Sequence, residues 1–128
     1  SVFREQLSLA ERYDKPVILH CVRAFEPMMK VLAEYRLRAV IFHGFIGSPE
    51  QAKRAIERGY FLSFGERTFR SAKTIEALRQ TPINQIFIET DESLTPIAEI
   101  YEKIADLRGV TVEQLTTVTK GNLERILG

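Results

Sequence analysis

Four side chains stand where they could act together. His20 ends an apolar run, PVILHC at residues 16–21, and His43 ends a second, AVIFH at 39–43. Asp91 directly follows a fourth run, QIFIET at 85–90, and Glu89 stands two residues before it. In parallel α/β folds, active sites gather at the carboxyl ends of strands. A lone histidine in such a position is usually a hydrogen-bonded rim residue. Here the only two histidines of the chain occupy equivalent ends, together with a carboxylate. That coincidence favours a metal or acid/base site. Imidazole with carboxylate suits Zn, Mn, Ni or another divalent ion, and metal-bound water is the usual hydrolytic nucleophile.

The elements that must position these groups are legible in outline. The third run is YFLSF at 60–64. All four runs are short, rich in Val, Ile and Phe, and nearly continuous, as strands buried on both faces of a parallel sheet are. Amphipathic stretches separate them. Phe3, Leu7 and Ala10 form the apolar stripe of the first, and Phe25, Met28, Leu32 and Ala33 that of the second. Ser48, Pro49 and Gln51 open a third helix with a capping box, and Gly59 stops it. A fourth helix spans 71–80, Thr95-Pro96 opens a fifth ending near Gly109, and Thr111 with Gln114 caps a last one, with Asn122 expected to cap a short terminal turn. The order is a helix, four strand–helix units and a further helix. Strand ends recur about every 20 to 27 residues, the length of a βα unit. Two α/β architectures satisfy this order, a small doubly wound sheet and an arc of a (β/α)8 barrel. A full barrel needs about 250 residues.

Composition narrows the functions further. With 128 residues, 45% hydrophobic and 27% charged, the chain makes one domain with a core. A formal charge of +1 excludes a basic nucleic-acid arm, though a local site for a phosphodiester is compatible with it. One cysteine, Cys21, excludes an internal disulfide and fits a reducing cytoplasm. No apolar run approaches the roughly 18 residues of a membrane span, and SVFREQ lacks the apolar centre of a signal peptide. Opening inside a helical pattern without Met, the chain reads as a fragment.

PVILHC, FHGFIGSPEQAKRAIERGYFLSFG, IFIETDESLTP and TVEQLTTVTKGNLERILG, in that order, resemble the second half of TatD-type metal-dependent hydrolases. Those proteins are (β/α)8 barrels of the amidohydrolase-like group, known as metal-dependent deoxyribonucleases. The resemblance implies the carboxyl-terminal half of such a barrel, with four parallel strands and flanking helices. It also implies metal ligation by His20, His43 and Asp91, with Asp91 activating water. Glu89 would orient its neighbours. Arg23, read from its position alone, suits a contact to a substrate phosphate and a solvated rim arginine equally. The implied cofactors are divalent ions (Zn, Mg, Mn or Ni), and the implied substrate is DNA or another phosphodiester.

Departures from the family pattern are equally specific. The H-x-H motif of the first strand and the bridging Glu of the fourth are missing from this chain, and Cys21-Val22-Arg23-Ala24 stands where S-R-D-A is usual. Cys21 alternates away from His20 and reads as a small apolar side chain. Gly44, Gly47 and Ser48 read as helix capping more readily than as an anion site, and 65–68 reads as a solvated loop beside the same mouth. Competing readings are a non-catalytic half-barrel with an incomplete metal site, and an amide or ester hydrolase of the same superfamily. An open half-barrel exposes two apolar edge strands, so a homodimer or a separate amino-terminal half is expected to close it.

Overall fold

The structure is a computed structural model that describes residues 2–20, 25–90 and 95–128. Its elements follow the expected order: α1 (Val2–Tyr13), β1 (Val17–His20), α2 (Phe25–Leu32), β2 (Val40–His43), α3 (Pro49–Glu57), β3 (Phe61–Phe64), α4 (Ala72–Gln80), β4 (Ile86–Ile88), α5 (Ile97–Arg108) and α6 (Val112–Leu127). The strands form one parallel sheet in the order β1-β2-β3-β4. Four parallel strands in sequential order, each followed by a helix, are the arrangement of one half of a (β/α)8 barrel.

The helix boundaries are set by local chemistry. Ser48 accepts from the Gln51 amide while the Gln51 side chain accepts from the Ser48 amide, and Pro49 fills the first helical position of α3. Thr111 and Gln114 make the same reciprocal pair at the start of α6. Ser71 caps α4, and Gly109 ends α5 in a left-handed conformation.

Strand alternation divides the sheet into two faces. Val17, Leu19, Val40, Phe42, Leu62, Phe64 and Ile86 join buried residues from all six helices in one core. The opposite face carries Ile18, Ile41 and Phe61 and, nearer the carboxyl ends, His20, His43, Ser63 and Phe87. Ile126 of α6 packs with Ala39, Ile41 and Phe61 and against Phe87, flooring the lower part of this inner face. Arg38 ties that floor down: Nε donates to the Ile126 carbonyl at 2.7 Å and a terminal nitrogen to Asp14 at 2.8 Å.

Three expectations are corrected. Burial on both faces holds for β3 but not for β1, where Ile18 is 65% exposed. β1 is an edge strand, so its inner side lacks a second strand neighbour among the described residues. In α2 the buried stripe is Phe25, Met29 and Leu32, with Met28 half-buried. Ala33 is exposed because the helix ends at Leu32. Asn122 caps no terminal turn; it lies within α6, only 1% exposed, and its amide donates to the carbonyls of Ile83 at 2.9 Å and Ile86 at 2.8 Å.

Asn122 therefore staples α6 to the start of β4. Removing its amide deprives two carbonyls of a donor, at a cost of about 1–3 kcal/mol. Asn122→Ala is expected to lower unfolding stability by about 2 kcal/mol in a urea titration. A loss below about 0.5 kcal/mol, the range of a neutral surface substitution, would contradict the staple.

Candidate active site

Parallel pairing brings the predicted histidines together. His20 and His43 are register partners at the ends of β1 and β2, with ring centroids 4.6 Å apart and planes at 80°. His20 is exposed and His43 half-buried, as the rim of an open mouth requires. Glu89 lies one residue beyond β4, and its amide donates to the Phe64 carbonyl at 2.9 Å, extending the ladder. Its side chain, 10% exposed, places Oε2 2.6 Å from Nδ1 of His43. The same oxygen accepts from Oγ of Ser63 at 2.5 Å.

This geometry has a definite electrostatic consequence. A carboxylate only accepts, so Nδ1 of His43 carries the proton facing it. In the neutral ring, Nε2 then holds the lone pair. A histidine whose second nitrogen is bound to a carboxylate is the usual form of a metal-ligating histidine, with tautomer and orientation both fixed. The donor set thus suits a divalent ion. Among the described residues, however, no group of three or more His, Cys, Asp or Glu is arranged to hold a metal. Asp91, Arg23 and Cys21 lie outside the described residues.

The turns around the site are built to make room. Gly44 follows His43 with φ of +64°, and a Cβ there would stand 3.4 Å from Oε1 of Glu89. The turn lets Phe45 return to the sheet, where its amide donates to the Ser63 carbonyl and its ring packs edge-on against Phe64, with centroids 5.8 Å apart. The Gly47 amide donates to Thr74 Oγ1, so this amide at the start of α3 serves packing between α3 and α4. Residues 66–70 form an ordered 3-10 turn and not a solvated loop: Thr68 is buried and Glu66 pairs with Lys103 at 3.3 Å.

Sequence reasoning missed Ser63, and it placed Gly65 beside the mouth only as part of a loop. A serine inside the run YFLSF was the available signal, since a buried hydroxyl in an apolar strand needs a partner.

Comparison with known proteins agrees with this geometry. The family model described as TatD related DNase matches residues 1–128. The metal-dependent hydrolase YabD of Bacillus subtilis is 34% identical over 142 residues, covering 98% of this chain and 56% of its own length. Human deoxyribonuclease TATDN3 is 31% identical, covering 94% of this chain and 48% of its own. The crystal structure of YJJV, a TatD homologue from Escherichia coli, superposes with a TM-score of 0.87 at 29% identity, covering 95% of this chain and 53% of that one. The chain spans about half the length of the curated relatives it matches.

The left-handed turn at Gly44 is expected to resist a side chain. Gly44→Ala should cost about 1–2 kcal/mol in chemical denaturation, because αL is unfavourable for L-residues, and Gly44→Asn should cost less. Equal stability of all three proteins would show that the turn is not held in αL.

Proposed function

The chain belongs to the TatD-related DNase family, and from that premise we propose that it is the carboxyl-terminal half of a metal-dependent hydrolase acting on a phosphodiester, with DNA as the substrate class. The observation that carries this reading is the pair His20 and His43 at the mouth, with His43 already fixed by Glu89 for ligation through Nε2. In the proposal, His20, His43 and Asp91 hold divalent ions, and Arg23 neutralises a substrate phosphate. A bound divalent ion supplies an acidified water as nucleophile and offsets charge on the phosphoryl oxygens. The contribution of this chain is positional. Glu89 holds the His43 ring, β1 and β2 place both imidazoles side by side, and the α6 floor closes the inner face below them.

Four further βα units are proposed to complete the barrel, because the matched relatives are about twice as long. Two features support closure: β1 and β4 each have one strand neighbour among the described residues, and Ile18 is exposed on the inner face. Among the described residues no helix is long and apolar enough to cross a membrane.

Two measurements test the reading. The complete protein is expected to cleave a phosphodiester reporter only with added divalent metal, and His43→Ala or Asp91→Asn should lower kcat at least about 100-fold. The 128-residue chain alone should show very little cleavage. Robust cleavage by that chain, abolished by Asp91→Asn, would mean that a second copy completes the site. No cleavage by either protein would favour the non-catalytic half-barrel, and cleavage of amides or carboxylic esters instead would move the substrate class. In sedimentation at micromolar concentration, the isolated chain is expected to self-associate through its open edges; a stable monomer with cooperative melting would contradict that expectation.

A further inference from the structure

We propose that Ser63 is a positioning residue: its hydroxyl anchors the Glu89 carboxylate at the point from which Glu89 fixes His43 as the Nδ1–H tautomer. The inference deepens the hydrolase reading, since it assigns the group that prepares a proposed ligand.

The three partners differ in rigidity. Glu89 lies beyond the end of β4, an edge strand of only three residues, and its side chain has three rotatable bonds. His43 closes β2 and is followed by the Gly44 turn. Ser63 sits inside β3, a strand paired on both sides and buried at all four residues, whereas His43 is the last residue of β2. Its side chain is therefore the fixed reference. At 2.5 Å from Oε2 it makes a charge-assisted bond, the strong class for a hydroxyl donor. The serine hydrogen and the His43 Nδ1 hydrogen converge on one oxygen, so orienting the carboxylate also orients the ring.

The residue just after β3 supplies a second part of this socket. A Cβ at Gly65 would stand 2.9 Å from the Glu89 carbonyl oxygen and 3.1 Å from its Cγ. Glycine there lets the Glu89 backbone approach closely enough for its carboxylate to reach back to Ser63. Hydroxyl and notch lie two residues apart along extended backbone that runs on past β3, so alternation puts them on one face.

The test reads the imidazole directly in the metal-free 128-residue chain. With only two histidines, long-range nitrogen–proton correlation spectra at alkaline pH resolve and assign both rings. His43 in the wild-type chain is expected to be the Nδ1–H tautomer. Ser63→Ala should give a mixture with a large Nε2–H share, and Ser63→Thr, which keeps the hydroxyl, should restore the wild-type form. Zn2+ titration should show about tenfold weaker binding for Ser63→Ala than for wild type. A folded Ser63→Ala chain with wild-type tautomer and Zn2+ affinity would overturn the proposal, above all if Glu89→Gln changes both. Should Ser63→Ala fail to fold, Gly65→Ala probes the same socket by displacing Glu89, and an unchanged His43 tautomer there would overturn it equally. Failure of the hydrolase reading shows instead as absent cleavage by the complete protein and leaves the tautomer result intact.

Discussion

One carboxylate oxygen organises the mouth of this sheet. Oε2 of Glu89 receives Ser63 at 2.5 Å and His43 at 2.6 Å, and the three residues come from or adjoin three successive strands. Such convergence requires β2, β3 and β4 to be parallel and in one register, since a slip of one residue would turn any of these side chains into the helical core. Every element that fixes the register therefore acts on the site as well. Phe45 does so visibly: its amide bonds the Ser63 carbonyl while its ring lies between Phe25 and Phe64.

The two faces of the sheet divide the labour. The helical face is dry and holds the large aromatic and aliphatic side chains, which makes the strand backbones stiff supports. The inner face is graded. Its lower end is apolar and floored by Ile126, and its upper end carries the polar groups. On this face the polar groups gather at the open mouth, and the Glu89 carboxylate, 10% exposed, has two donors against its desolvation cost.

Much of this arrangement was legible in the residues themselves. His20 and His43 were recognisable because both histidines end apolar runs, and parallel pairing at βα spacing puts such ends together. Capping chemistry located α3 and α6, because Ser48–Gln51 and Thr111–Gln114 are local signals that need no tertiary knowledge. Ser63 was not legible, since a serine in an apolar run does not state which carboxylate will face it. Asn122 was misread for a related reason: its partners are carbonyls 36 and 39 residues away, so a cap and a tertiary staple look alike in sequence. The exposure of Ile18 was hidden because edge or centre is a property of the whole sheet and leaves no mark on a four-residue strand. Asp91 and Arg23 rest on the sequence reading, as they lie outside the described residues.

The Arg38 clasp has a kinetic meaning. Strands that pair only with their neighbours in sequence close loops of modest length, whereas the Arg38–Ile126 bond joins residues 88 apart. Loop-closure entropy favours assembling the local βα units first and seating the end of α6 afterwards. Contacts made after the folding barrier govern how fast the native state is lost, with little effect on how fast it is reached. The guanidinium at the foot of β2 thus works as a latch on unfolding, placed at the opposite end of the sheet from the site whose register it preserves.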